Sequence, residues 1–335
     1  MDWSNTAHWL PLAFLGAMGL AILIYAVMDG YDLGVGLLML RANESDRDMM
    51  IASIGPFWDA NETWLVLSVG LLLVAFPKAH GIVLSGLYLP VTIMLIGLIL
   101  RGVAFDFRAK AQTAYKKSWD RLFIAGSAIA ALSQGYMLGR YIVGLENTAG
   151  AHLFAAVSAL CVMSAYALIG ACWLIIKTSG TLQQHAIRWA RYALPAMCFG
   201  LVAVSVVNPL VSTRIFDKWF NFPQIIYLAP MPILTVMLLG ATFHSLRKLA
   251  KAPDHKSWVP FASISGVFIL AFTGLAYSFF PYVIPDQLTV WEAASDADSL
   301  WVIFIGTVIV LPAILAYTAF SYYVFRGKAT TLEYN

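Results

Sequence analysis

The sequence predicts an all-α polytopic membrane protein in which nine transmembrane helices form a single integral membrane domain over residues 1–335. Two observations support this fold class. Of the 335 residues, 60% are hydrophobic and only 12% are charged, whereas a soluble domain carries about 25% charged residues. The mean hydropathy is +0.76, and the apolar residues fall in runs of about 20, the length that crosses a bilayer as a helix. The net charge of +3 reflects basic loops, so no nucleic-acid partner is expected.

Nine apolar runs have the length of a transmembrane helix. In chain order they cover residues 10–28, 51–76, 81–100, 122–138, 153–176, 194–211, 225–243, 259–280 and 300–325. Residues 30–40, between the first two runs, either continue the first helix or form an interfacial turn. The segment 281–299 is acidic and broken by prolines, which predicts a cap over the outer surface.

The distribution of lysine and arginine predicts the orientation in the membrane. Most basic residues follow spans one, three, five and seven or lie near the C-terminus, whereas the opposite loops hold only Lys78, Arg140, Arg214 and Lys218. Basic loops stay in the cytoplasm. We therefore expect a periplasmic N-terminus and a cytoplasmic C-terminus, which agrees with an odd number of spans.

The second apolar run contains Asp59, Asn61 and Glu62 near its cytoplasmic start. An ionised carboxylate within a bilayer costs several kcal/mol unless it is paired, hydrated or protonated, so it marks a functional site by default. Asp59 and Glu62 are three residues apart and share a face of a helix. We expect this face to point away from lipid.

Neighbouring helices bring more charged residues to the same inner depth. Asp29 and Asp32 follow the first span, and Arg101 and Asp106 close the third. A cluster with more carboxylates than arginines leaves at least one group free to take up and release a proton. The sequence therefore predicts an acidic cluster that could form a proton entry path.

Two other interpretations use the same residues. In the first, Asp59 and Arg101 form a static ion pair that fixes helix packing, and Asn61 hydrogen-bonds across helices. In the second, a hard cation is held among Asp29, Asp32 and Asp59. No metal is expected, because these carboxylates lack the nearby His or Cys of a conventional transition-metal site.

The histidines argue against a haem bound by this chain alone. All six lie at span ends or in loops: His8, His80, His152, His185, His244 and His255. A haem within a bilayer needs an axial His or Met held by a helix. Methionines in apolar helices are usually packing residues, so the methionines of this chain are not convincing axial haem ligands either.

Four motifs in series resemble subunit II of the cytochrome bd quinol oxidases, and their overall pattern is similar to the cyanide-insensitive branch. They are DGYDLGVG at residues 29–36, GPFWDANETWL at 55–65, SGLYLP at 85–90 and RGVAFDFR at 101–108. Residues 281–319 continue the likeness, so that it covers nearly the whole chain.

This resemblance implies a haem-free subunit of a quinol:oxygen oxidoreductase in the bacterial cytoplasmic (inner) membrane. The partner, subunit I, would carry two haems b and haem d, and the complex would oxidise quinol with dioxygen. Taking protons from the cytoplasm would build a membrane potential without a pump. A structural quinone in this chain and a small single-span subunit are further components compatible with the family.

The resemblance also implies roles for individual residues. Trp58, Asp59 and Arg101 match residues near the family's proton route. The candidates for the proton path are Asp29, Asp32, Trp58, Asp59, Glu62 and Arg101. Some members have Gln at the position of Glu62. The residues expected to be structural are Asn61, Trp64, Asp106 and Arg108.

A proton- or cation-coupled secondary transporter is the alternative from another functional class. In that case Asp59 and Glu62 form the coupling site, beside a first helix broken at residues 30–36. The two hypotheses differ in their partners, because a transporter can act alone whereas an oxidase subunit II requires its haem-bearing subunit I.

Overall fold

The computed structural model describes residues 6–110 and 113–330, which form thirteen α-helices and one short β-hairpin. The helices are α1 (Thr6–Leu38), α2 (Glu44–Ile54), α3 (Trp58–Ala75), α4 (Pro77–Lys110), α5 (Thr113–Ile142), α6 (Ala149–Lys177), α7 (Gly180–Val211), α8 (Thr213–Phe220), α9 (Gln224–Leu228), α10 (Pro230–Leu249), α11 (Val259–Phe279), α12 (Val290–Ala293) and α13 (Ala297–Val324). The antiparallel hairpin, β1 (Tyr282–Ile284) and β2 (Leu288–Thr289), lies with α12 in the predicted outer cap.

The helices confirm the predicted fold class. In the described part of the chain, eight helical segments are long and apolar enough to cross a membrane, and the bent pair α2–α3 raises the number of spans to nine. Each predicted run falls on one of these segments. The run 225–243 begins in the short helix α9 and continues into α10. The orientation of the termini stays a prediction.

The second predicted span is not one continuous helix. α2 ends at Ile54 and α3 begins at Trp58, and the two helices are bent by 53°. Pro56 lies in the break; it has no N–H to donate, and its ring clashes with the carbonyl of the preceding turn. The break places Asp59 in the first turn of α3, not inside a long helix as expected.

The first span is longer than predicted, because α1 continues through residues 30–38. Glycine makes this possible by allowing α1 and α6 to touch through their backbones. A Cβ atom on Gly34 would lie 1.8 Å from the carbonyl oxygen of Tyr166, and one on Gly170 would lie 2.6 Å from the carbonyl carbon of Gly34. Small residues at such contacts are typical of closely packed membrane helices.

α1 is the central helix and is packed by α3, α5, α6, α11 and α13. The largest apolar cluster lies around its C-terminal third and is rich in aromatic side chains. Tyr31 stacks on Trp173 with ring centroids 4.2 Å apart, and Phe57 contacts both Trp173 and Tyr322. These rings enclose the polar part of α1 at its predicted cytoplasmic end.

Lys177 ties the end of α13 to the end of α6. Its ammonium group donates to the carbonyl oxygens of Phe325 and Gly327. The same group lies 5.0 Å and 5.1 Å from the ring centroids of Phe57 and Trp173. Carbonyl dipoles at a helix C-terminus and aromatic faces both stabilise a cation. The contacts therefore fix where α13 ends against the bundle.

Candidate functional site

Asp29 and Asp32 lie one turn apart in α1, and both are completely buried. Neighbouring helices surround α1 at this level, so the carboxylates are enclosed by protein. A buried carboxylate is costly unless it is paired or hydrogen-bonded. The partners of these two residues therefore define the site.

Arg101 of α4 is the cationic partner of Asp29. Its Nη2 atom donates to Oδ1 of Asp29 over 2.6 Å, and Arg101 is only 1% exposed. The guanidinium carbon lies 5.8 Å from the ring centroid of Trp58, which packs against Phe105 at 4.8 Å. The arginine is thus held between a carboxylate and an aromatic face.

Asn61 of α3 connects Asp32 to two tyrosines. Its Nδ2 atom donates to Oδ2 of Asp32 over 2.7 Å and to the hydroxyl of Tyr31 over 2.9 Å. The hydroxyl of Tyr322 donates to Oδ1 of Asn61 over 3.0 Å, and the two tyrosine hydroxyls are 2.5 Å apart. Because Tyr322 uses its one proton on Asn61, Tyr31 must donate to Tyr322. Asn61, Tyr31 and Tyr322 therefore form a closed ring of hydrogen bonds, which we call the amide ring.

The charges of the enclosed cluster do not balance when both aspartates are ionised. Asp29 and Asp32 carry two negative charges, and Arg101 carries one positive charge. Glu62 of α3 is half-buried and close enough to interact electrostatically with Arg101 and Asp29. Asp29, Asp32 and Arg101 need one more positive charge for neutrality, and an ionised Glu62 adds the need for a second; bound protons can supply them.

A second polar branch leads from Asp29 towards α5 and α6. The hydroxyl of Tyr25, one turn before Asp29 in α1, interacts with this carboxylate. Gln134 donates to the Tyr25 hydroxyl over 2.6 Å and accepts from the Tyr166 hydroxyl over 2.7 Å. This branch thus joins α1, α5 and α6 inside the bundle.

Some buried polar atoms of the cluster have no protein partner. They are Oδ2 of Asp29, Oδ1 of Asp32 and Nη1 of Arg101. Buried polar groups are normally hydrogen-bonded, and groups without a protein partner are commonly satisfied by internal water. The chemistry of these three atoms suits water molecules that join the acidic groups.

The structure brings only part of the predicted constellation together. Asp29, Asp32 and Arg101 form its core, and Glu62 lies at its edge. Asp59 is exposed on the surface of the chain and interacts electrostatically with Glu62; the expectation that it points away from lipid stays a prediction. Asp106 is also exposed. The predicted Asp59–Arg101 pair is not formed, because Asp29 occupies the position beside the guanidinium group.

The predicted structural residues have well-defined neighbours. Asn61 does hydrogen-bond across helices, as expected. Trp64 is 1% exposed and packs in a small core cluster with Tyr25. Arg108 donates to the completely buried Asp120 and lies 2.9 Å from a carboxylate oxygen of Asp48. A second arginine, Arg47, also bonds to Asp120. These ion pairs join α2, α4 and α5 at the predicted cytoplasmic ends.

Sequence reasoning missed Tyr31, Tyr322, Gln134 and Asp120. Tyr31 stands between the two aspartates of the first motif, which is a signal in the sequence. Asp120 lies in a basic loop region, where a single acidic residue is conspicuous. Tyr322 and Gln134 carry no such signal, because tyrosine and glutamine occur often near membrane surfaces and bundle interiors.

A haem or a metal ion requires several ligands placed around a common point. His8 stacks on Trp291, and His152 is bonded to Tyr136 and Asn147. Two cavities, of about 330 Å³ between α1 and α13 and about 350 Å³ beside Trp119, are lined without His or Met. Among residues 6–110 and 113–330, no group of three or more His, Cys, Asp or Glu is placed to hold a metal. The hard-cation interpretation also loses Asp59, which is exposed.

Comparison with known proteins gives consistent results. Residues 10–325 match the family model described as cytochrome bd terminal oxidase subunit II. The chain is 29% identical to cytochrome bd-I ubiquinol oxidase subunit 2 of Escherichia coli K12, over 93% of each chain. It is also 29% identical to cytochrome bd ubiquinol oxidase subunit 2 of Bacillus subtilis 168, over 91% of this chain and 93% of the relative.

A solved structure shares the fold. A chain of the bd oxidase from Geobacillus thermodenitrificans superposes with a TM-score of 0.74 at 17% sequence identity, covering 94% of this chain and 99% of that one.

Proposed function

The chain belongs to the family of subunit II of the cytochrome bd terminal oxidases, and from this premise we propose that it is the haem-free subunit that supplies protons from the cytoplasm for the reduction of dioxygen to water. Membership makes it a multi-pass protein of the bacterial inner membrane and part of a quinol oxidase complex with a subunit I. No observation favours a transporter, so the oxidase hypothesis replaces it.

The observation that carries this proposal is the enclosed cluster of Asp29, Asp32 and Arg101. Two carboxylates share one arginine inside the bundle, with both aspartates at 0% exposure. Such a cluster can bind and release a proton, because it approaches neutrality only with a proton bound. Buried ionisable groups within a membrane are typical of proton relays.

We propose that protons enter near Asp59 and pass Glu62 to reach the buried aspartates. Asp59 lies in the first turn of α3, where the helix dipole stabilises a carboxylate. Glu62 interacts with both Asp59 and Asp29 and is intermediate in burial. Water bound to the unpartnered atoms of Asp29 and Asp32 would complete the connection.

The haem-free role is supported by the lack of fit described above. When bound in subunit I, the haems supply the redox chemistry of dioxygen reduction, and this chain supplies acidic groups and a docking face. We propose that subunit I covers Asp59, because a charged side chain does not face lipid from a membrane span. The structural quinone and the small subunit stay predictions; the apolar cavity between α1 and α13 has the lining that an isoprenoid chain requires.

The test is a set of amide substitutions in the intact complex reconstituted into liposomes. Asp29→Asn and Asp59→Asn should each slow quinol-driven oxygen consumption and internal proton uptake by about 10-fold or more, the size typical of a lost proton-transfer group. For Asp59→Asn the haem spectrum and subunit ratio should stay unchanged, whereas Asp29→Asn leaves Arg101 unpaired and lowers the yield, so its proton uptake is measured on the assembled fraction. The matched control is Asp298→Asn, an exposed aspartate at the start of α13.

A purely structural role predicts a different pattern. In that case each variant either fails to assemble with its partner or keeps full activity. An assembled complex in which neither substitution slows proton uptake would contradict the proposed proton path and leave only the family assignment.

A further inference from the structure

The amide ring determines which end of the Asn61 side chain faces Asp32. The two N–H bonds of Nδ2 go to its nearest acceptors, Tyr31 and Asp32, because the Met28 carbonyl oxygen is farther away at 3.4 Å, and Oδ1 accepts from Tyr322. Rotating the amide by 180° would place Oδ1 about where Nδ2 now lies, 2.7 Å from Oδ2 of Asp32. Two acceptors at that distance repel unless a proton lies between them.

We propose that Tyr322 is a positioning residue for Asp32: its hydroxyl fixes the amide of Asn61 so that an N–H bond faces the carboxylate and favours the release of its proton. This inference rests on the proposed function, in which Asp32 belongs to the proton path. It adds a residue from α13, which is otherwise outside the acidic cluster.

Among the described groups around Asp32, the amide of Asn61 is the one that donates a hydrogen bond to its carboxylate. Two further carboxyl groups, those of Asp29 on the same helix and Glu62 on α3, face Asp32. Arg101 on α4 also interacts with Asp32 but bonds to Asp29. The Asn61 N–H is the one hydrogen bond that Asp32 accepts within the described part of the chain, and it favours the ionised form.

Packing and hydrogen bonds hold the Tyr322 side chain in place. Its ring packs on Phe57 at 4.6 Å, and Tyr31 is held by stacking on Trp173. Lys177 fixes the chain just after α13 through two carbonyl oxygens. The hydroxyl is thus pre-positioned for Asn61. Removing it should abolish the bond that it donates to Asn61 and the bond that it accepts from Tyr31, without moving the helix.

The experiment compares Tyr322→Phe with Tyr323→Phe in the purified oxidase complex. Tyr323 is the adjacent, 64% exposed tyrosine of the same helix. Infrared difference spectra follow the carbonyl band of the protonated Asp32 carboxyl during a pH titration, and Asp32→Asn identifies the band. Tyr322→Phe should shift the titration to higher pH by about 0.5–1 unit, the equivalent of one hydrogen bond. Tyr323→Phe should give the wild-type titration.

A double variant tests whether Tyr322 acts through Asn61. In an Asn61→Leu background there is no amide to orient, so adding Tyr322→Phe should produce no further shift. An equal shift in both backgrounds would overturn the proposal, as would an unshifted titration in the single variant. If Asn61→Leu does not assemble, Tyr31→Phe provides the second measurement. It removes an acceptor of Nδ2 but leaves the Tyr322 hydroxyl donating to Oδ1, so the amide should keep its orientation and the titration should stay as in wild type. A shift as large as that of Tyr322→Phe would overturn the proposal.

The infrared readout does not depend on turnover and separates this inference from the proposed function. If the proton path were wrong, Tyr322→Phe would still shift the Asp32 band. If only the inference were wrong, the band would stay in place while Asp29→Asn still slowed proton uptake.

Discussion

Replacing Arg101 by leucine should destabilise the protein more than almost any other single charge removal. Arg101 is 1% exposed, Asp29 is 0% exposed, and their atoms are 2.6 Å apart. Removing one partner of a buried ion pair costs about 3–5 kcal/mol, because the other charge is left uncompensated. We expect the upper end, about 5 kcal/mol, since Asp32 also interacts with Arg101. That is a large part of the total stability of a typical domain.

The free energy of unfolding can be measured by titrating the detergent-solubilised complex from mild micelles into denaturing detergent. The matched control is Arg121→Leu, an exposed arginine of α5. Its loss should change the unfolding free energy by less than about 0.5 kcal/mol, as is usual for surface substitutions.

The double variant Asp29→Leu/Arg101→Leu gives the decisive comparison. Apolar replacement of a complete buried pair is often neutral, so the double variant should recover to within about 2 kcal/mol of wild type. Asp32 keeps its hydrogen bond from Asn61 and can carry a proton. The reasoning fails if Arg101→Leu costs no more than an exposed pair, about 1 kcal/mol or less, or if the double variant is as unstable as the sum of the two single variants.

Three further predictions concern packing, the end of α13 and pH. Gly34→Ala should prevent accumulation in the membrane, because its Cβ would lie 1.8 Å from a carbonyl oxygen of α6, whereas Gly16→Ala, with no atom within 4 Å, should accumulate normally; immunoblots of membranes measure both. Lys177→Met should increase hydrogen exchange at residues 325–329 severalfold, because two carbonyl oxygens lose their donor. Hydrogen bonds from Thr289 lower the pKa of Glu292, so exchange protection of the outer hairpin should persist above the usual pKa of a glutamate and disappear as pH falls through the lowered value; Glu292→Gln should abolish this dependence.

The membrane spans were accessible to sequence reasoning because the bilayer imposes one length on every helix that crosses it. The break in the second span was not. Pro56 marks it, but a proline alone does not identify a broken helix. Four other prolines lie inside continuous helices, namely Pro11, Pro195, Pro209 and Pro312, whereas Pro90 follows a kink at Leu87 within α4. In the sequence, the charged residues of α2 are the stronger indication that a helix ends before residue 58.

The sequence predicts the membrane depth of the acidic cluster but not which carboxylate pairs with Arg101. Hydropathy places Asp29, Asp59 and Arg101 near the same side of the membrane, yet it does not determine the rotation of each helix about its axis. The bend at Pro56 turns Asp59 outwards and leaves Asp29 to pair with Arg101. Tyr322 is 261 positions from Asn61, and a contact over that separation follows from tertiary packing alone.

The late position of Tyr322 has a consequence for biogenesis. α13 follows every other membrane helix in the chain, so during synthesis the first twelve helices are complete before Tyr322 leaves the ribosome. Until then Oδ1 of Asn61 lacks its donor, and the segment that Lys177 binds is absent. A chain that ends before α13 therefore leaves the amide of Asn61 and the ammonium group of Lys177 without these partners in the interior of the bundle.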